Sequence, residues 1–137
     1  MWKNDLKEGQ GEYKWSGGNQ YRGNYHMDRP HGSGFYSTSL GDVYNGQFAN
    51  GLFQGLGNFT FGSGNRTGDV YEGQFYQGEF HGKGTYIYAN GDKFVGDFRF
   101  GKKNGKGILF TNDGEEIVGK WRNDKLASEL YLQKSRQ

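Results

Sequence analysis

Three sets of residues in this 137-residue chain invite a chemical reading. His31 and His81 stand before a glycine in matching contexts, and histidine is the commonest actor in both metal binding and proton transfer. Gly-x-Gly pairs such as Gly82-Lys83-Gly84 imitate the loops that cradle phosphates. Arg99, Lys102, Lys103 and Lys106 form a basic cluster, and such residues contribute about 1 kcal/mol each beside an anionic lipid surface.

Each set has a plainer explanation. The position of His31 and His81 is filled elsewhere by Glu8, Gln54 and Asn104, which share hydrogen-bonding capacity but are not interchangeable as metal ligands. A role in bonding a loop backbone is therefore expected, and His26 falls outside the pattern. Phosphate cradles need a strand before and a helix after, whereas strands are expected on both sides here, with no Gly-Lys-Ser/Thr ending. Ser, His and Asp show no nucleophile–base arrangement, and paired carboxylates do not recur on one face. The chain has no Cys, which excludes disulfides, thiolate metal sites and thiol nucleophiles. No catalytic, cofactor-binding or metal site is expected, and the protein is not expected to be an enzyme. Asn58-Phe59-Thr60 and Asn65-Arg66-Thr67 match glycosylation acceptors but, with no signal segment and no Cys, read as chance matches.

Charge divides unevenly. Residues 1–80 hold six Lys/Arg and eight Asp/Glu (−2), while residues 81–137 hold eleven and seven (+4). The basic cluster around residues 99–106 reads either as a solvated loop that blunts a sheet or as an anionic-lipid contact. The overall charge of +2 is too mild to imply nucleic acid. No apolar run approaches the roughly 20 residues of a membrane-spanning helix.

The elements that carry these residues come from a repeat. Aligned on Tyr-x-Gly, the chain divides into full units 21–43, 44–70, 71–93 and 94–116, of 23, 27, 23 and 23 residues, with partial units at 1–20 and 117–125. Four extra residues fall in the turn near Gly62 to Asp69. Of the 26 glycines, 23 lie on five columns, and 17 of the 24 aromatics lie on four, so the rings are structural first. Glycine supplies about a fifth of the chain, against a usual level of roughly 7%. A chain rich in both glycine and aromatics suggests large rings packed over bare backbone.

Within a unit the period is two. Tyr71, Gly73 and Phe75 alternate with Glu72 and Gln74, and Gly82, Gly84, Tyr86 and Tyr88 alternate with Lys83, Thr85 and Ile87. Rings and glycines share one face of each strand. A loop over Gln77–His81 is expected, with positive φ at Gly78 and at Asp5, Asp28 and Asp124, its equivalents. Asn90-Gly91 signals a tight hairpin. The units then join as one antiparallel meander of about eleven strands and roughly 50 Å length. Residues 126–137 leave the pattern, and Leu126 and Leu130 predict a short helix capping the last strand, a linker into further sequence being the alternative. Trp2 already holds the fifth position of its unit, so either the chain is a segment of a longer array or another chain completes that edge, as in a homo-oligomer joined through open sheet edges.

Units such as Tyr71-Glu72-Gly73-Gln74-Phe75, Gly78, His81-Gly82-Lys83-Gly84-Thr85-Tyr86 and Asn90-Gly91 resemble the MORN (membrane occupation and recognition nexus) repeat over residues 1 to about 125. The resemblance implies an all-β, elongated and curved single-layer rod without catalysis. It also implies scaffolding at membrane–cytoskeleton junctions and in ciliary or axonemal assemblies, and hence a cytoplasmic setting or the inner face of a membrane. The leading expectation is a protein-interaction scaffold whose partner, an amphipathic helix, lies along a groove of Tyr25, Tyr36, Phe48, Phe59, Phe75, Tyr86 and Phe98. The alternatives are a phosphoinositide tether through Arg99, Lys102, Lys103 and Lys106, and an accessory module of a larger lipid kinase or methyltransferase.

Overall fold

Two-residue alternation, interrupted by turn-forming residues, puts nearly the whole chain into strands. The computed structural model describes residues 2–3 and 6–134, with side chains described for residues 6–129. The strands are β1 (Trp2–Lys3), β2 (Leu6–Lys7), β3 (Gly9–Lys14), β4 (Gln20–His26), β5 (Arg29–Ser37), β6 (Val43–Ala49) and β7 (Leu52–Thr60). They continue as β8 (Val70–Tyr76), β9 (Glu79–Ile87), β10 (Lys93–Arg99), β11 (Lys102–Phe110), β12 (Glu115–Arg122) and β13 (Lys125–Lys134). Strands β1 and β2 pair separately. Strands β3 to β13 form one 11-stranded antiparallel sheet in strict sequence order.

The register sets glycine opposite glycine from strand to strand. Gly57↔Gly73, Gly73↔Gly84, Gly84↔Gly96 and Gly96↔Gly107 belong to a row that crosses the sheet from Gly11 to Gly119. Over this row lie the rings that open each unit. A Cβ placed on Gly84 would sit 2.5 Å from Cε1 and Cζ of Tyr71, so a side chain there and the ring cannot coexist unmoved. Tyr21, Tyr44, Tyr71 and Phe94 are the most deeply buried side chains among the described residues.

A single layer needs some means of closing its own core. Here the fifth-position ring of one unit packs edge-on against the first-position ring of the unit before it. Tyr21–Phe48, Tyr44–Phe75, Tyr71–Phe98 and Phe94–Trp121 have centroids 5.0, 5.0, 5.0 and 4.8 Å apart. Within units, the first- and fifth-position rings meet at 5.1 to 5.5 Å, again edge to face. These are favoured aromatic geometries, each contributing about 0.5–1.5 kcal/mol beyond burial. The result is an unbroken spine of rings from Tyr25 to Trp121. The side chain of Trp2, which begins the same column, lies outside the described residues.

Three local expectations are corrected. Residues 77–81 are not a loop: the turn is Gln77-Gly78 alone, with φ of 49° and 88°, and Glu79, Phe80 and His81 belong to β9. Two consecutive positive φ values match the right-handed twist of a two-residue hairpin. Positive φ is found at Asp28 and Asp124, while Asp5 lies outside the described residues. The Asn90-Gly91 connection is a three-residue loop, because the bonds run from Tyr88 N–H to Asp92 O and from Gly91 N–H to Tyr88 O, with only Gly91 left-handed. Finally, residues 126–132 do not form a helix. Strand β13 pairs with β12 from Arg122↔Lys125 to Glu115↔Lys134. The exposed edge of β12 offers a ladder of unpaired backbone groups, and that outweighs the helix propensity of a short Leu-rich segment.

Candidate functional site

The seven rings expected to line a partner groove divide into two sets. Tyr25, Phe48, Phe75 and Phe98 are spine residues, and Tyr86 is buried beside them. Phe98 is 4% exposed. These five are floor rather than binding surface: Phe48, Phe75, Phe98 and Tyr86 are covered by rings from an adjacent unit and Tyr25 packs edge-on against Tyr21. Tyr36 and Phe59 are half-buried and face open space.

A trough does exist on the ring face, and its walls come largely from rings outside the expected set. One cavity of about 390 Å³ is lined by Trp15, Pro30, Tyr36, Leu52 and Phe53 over the floor ring Phe48. A second, of about 210 Å³, is lined by Phe53, Phe59, Phe61 and Phe80 over Phe75. Phe53 and Gly78 line both, so the two adjoin. Phe53 and Phe80 stack face to face on Tyr44 and Tyr71 at 3.8 and 3.9 Å. Their column was hidden by assigning residues 77–81 to a loop. The signal was present as a recurring position that reads Pro30, Phe53, Phe80 and Lys103.

Beyond Phe80 the trough turns polar. A cavity of about 330 Å³ is lined by Arg66, Asp69, Tyr86, Tyr88, Lys103 and Asp124, and it shares Gly101 with the second apolar cavity. The Asp69 carboxylate is buried and accepts from Tyr86 O–H at 2.7 Å and Ala89 N–H at 2.8 Å. Burial, followed by that bond to a carboxylate, pushes the Tyr86 hydroxyl far above the ordinary phenol range. The Lys103 side chain is only 14% exposed. Its Nζ donates to Tyr88 Oη at 2.6 Å, lies 3.6 Å from Asp124 Oδ1, and sits over the rings of Tyr86, Tyr88 and Phe94 at 5.3 to 5.8 Å.

The basic cluster is therefore dispersed. Lys103 turns into the ring face, while Arg99 and Lys102 flank the exposed turn at Phe100-Gly101. Lys106 lies on the opposite face. There, with Lys83, it borders a groove of about 540 Å³ that runs over the glycine row beside Val95, Ile108 and Val118. A single lipid surface cannot be met by all four residues at once.

His31 and its equivalent Gln54 act as inter-unit clasps, while His81 lies against the rings of Tyr76 and Phe100, with centroids 5.5 and 6.2 Å apart. His31 Nδ1 accepts Asn50 N–H at 3.4 Å, and Gln54 Oε1 accepts Gln77 N–H at 2.9 Å. His26 instead places Nδ1 3.2 Å from Glu8 Oε2. Among the described residues no three His, Asp or Glu side chains are grouped to hold a metal ion. A matching row of clasps on the other edge escaped the sequence reading. Asn19, Asp42, Asp69 and Asp92 each accept a backbone N–H from the following unit, at 2.7 to 2.9 Å. Their common place two residues before each unit's opening ring was the available signal.

A family model for the MORN repeat matches the chain five times, over residues 1–20, 21–41, 44–66, 71–93 and 94–115. Among curated proteins, none matches it.

Proposed function

The chain belongs to the MORN repeat family, and from that premise we propose that it is a non-catalytic interaction module that receives an amphipathic helix of a partner protein along its aromatic trough. The observation that carries this reading is the adjoining pair of apolar cavities, open among the described residues, with Trp15, Tyr36, Phe53, Phe59 and Phe61 as walls. From Trp15, just beyond β3, to Phe80 on β9 the trough crosses about six strand spacings, or roughly 29 Å. A helix of about 20 residues has the same length. Half-buried rings offer large contact area at little cost in side-chain entropy, which suits them to anchoring such a face.

The test uses a displayed library of amphipathic 20-residue helices (about 30 Å each), with affinity of the selected helices then measured by calorimetry. Trp15→Ala and Phe59→Ala should each weaken binding by roughly tenfold, as loss of a buried anchor does. Reversing Lys102 and Lys106 to Glu should leave it unchanged. Affinity should fall by no more than about tenfold when salt shortens the screening length from about 10 Å to about 3 Å, because most of the driving force is area removed from water. If charge reversal abolishes binding while both folded ring variants keep it, the trough is not the site.

A further inference from the structure

The polar cavity at the end of the trough is where two departures from the repeat meet. The first is the insertion after β7, absent from the other units, whose 3-10 turn Gly64–Arg66 delivers Arg66. The second is Lys103, which occupies the position filled by Pro30, Phe53 and Phe80 in the preceding units. These residues come from different units, yet both cations lie 5.8 Å from the centroid of the same ring, Tyr86. Arg66 also lies 5.4 Å from the Phe61 centroid, which holds it at the junction of apolar and polar cavities.

The charges in this cavity are unequally committed. Asp69 is turned to Tyr86 and Ala89. Asp124 accepts Lys103 N–H at 2.8 Å and stands beside Lys103 Nζ. Arg66 forms no ion pair among the described residues, although its guanidinium carries five donors suited to a carboxylate. Two cations and two carboxylates line the space, so their formal charges cancel, but of the four only the Arg66 side chain has neither a hydrogen bond nor an ion pair among the described residues. A carboxylate adds a single negative charge to a space that already holds Asp69 and Asp124, whereas a dianionic phosphate would add two.

We propose that Arg66 and Lys103 form a carboxylate-binding pocket that takes an Asp or Glu side chain from one end of the partner helix, and so fixes its register and direction in the trough. This rests on the helix-in-trough reading. The apolar cavities would hold the stripe, and the pocket would accept only a helix whose acidic residue arrives beyond Phe80. An ion pair at the edge of an apolar contact contributes more to specificity than to affinity, and a guanidinium held over rings is partly ordered before binding.

The same library of amphipathic 20-residue helices (about 30 Å each), with randomised polar positions, tests it. Helices selected on the wild-type protein should be enriched in Asp or Glu at one end. Arg66→Gln, and separately Glu→Gln or Asp→Asn in the peptide, should weaken binding by roughly tenfold. Selection on Arg66→Glu should instead return helices with Lys or Arg at that end. Lys103→Met keeps the stem over the rings and should also reduce the preference for acid. Selected helices that show no acidic enrichment, or bind Arg66→Gln as tightly as wild type, overturn the pocket while leaving the trough in place. A library that yields no apolar helix removes the trough reading and the pocket with it. Wild-type binding to phosphatidylserine vesicles that is lost in Arg66→Gln, without any peptide discrimination, would assign the two cations to a lipid surface and also overturn the proposal.

Discussion

Replacing Gly84 by Val tests whether the first-position ring on bare backbone holds the sheet together. Gly84 has extended backbone, so the substitution meets no conformational strain, and relief of glycine's entropy should return about 0.5–1 kcal/mol. Against this, the new Cβ would lie 2.5 Å from Cε1 and Cζ of Tyr71, a ring with no exposed surface. Tyr71 cannot retreat freely. It stacks on Phe80 at 3.9 Å, meets Phe75 and Phe98 edge-on, and donates its hydroxyl to Gln74 O at 2.8 Å. Overpacking costs about 1–3 kcal/mol, and disturbing the hydroxyl's bond adds roughly 1 kcal/mol. The net loss should be about 1–3 kcal/mol once the entropic return is subtracted. Lys83→Val is the control. Its side chain is 80% exposed and makes one ion pair with Asp97 at 2.6 Å, an interaction that contributes under about 1 kcal/mol on a surface. Urea unfolding of both variants decides the matter. Equal losses, or a stable Gly84→Val protein, would show that the ring does not lie over this glycine.

Asp69→Ala strands the buried Tyr86 hydroxyl and the Ala89 N–H, and should cost about 2 kcal/mol in urea unfolding, whereas Asp69→Asn keeps an acceptor and should cost under about 1 kcal/mol; equal effects would mean that the clasp carries no stability. Alkaline pH should unfold the protein through its tyrosines. Burial pushes Tyr21 and Tyr44 from 10.0 up to about 12, so the neutral phenol is favoured in the folded state. A raised folded-state value stabilises fully below the unfolded value and loses that contribution as pH rises, so the tyrosine contribution to unfolding free energy should be constant below pH 10 and fall between pH 10 and about 12. Phenolate absorbance followed alongside circular dichroism checks this, and phenolate forming without loss of structure would contradict the burial.

Residues 1–125 carry their architecture in one dimension. The columns of Gly11, Gly34, Gly57, Gly84 and Gly107 and of Tyr21, Tyr44, Tyr71 and Phe94 recur at the repeat length, and period-two alternation assigns each to a face. Meander order and the pairing of rings with glycines follow, because contacts in such an array are made between neighbouring units and reduce to sequence spacing. Positive φ at Asp28, Gly78 and Asp124 was legible for the same local reason. What depends on neighbours across the sheet was not legible. The length of the turn at Gln77-Gly78 decided whether Phe53 and Phe80 were loop residues or walls of the trough. Interleaving of fifth-position with first-position rings turned Phe48, Phe75 and Phe98 from an expected surface into a core. At the chain's end, the unpaired edge of β12 drew residues 125–134 into a strand against their local propensity. The polar cavity is the clearest case. In the sequence Arg66 falls in one unit and Lys103 in the basic cluster of another, and only the tertiary structure, which places both 5.8 Å from the Tyr86 centroid, makes them one site.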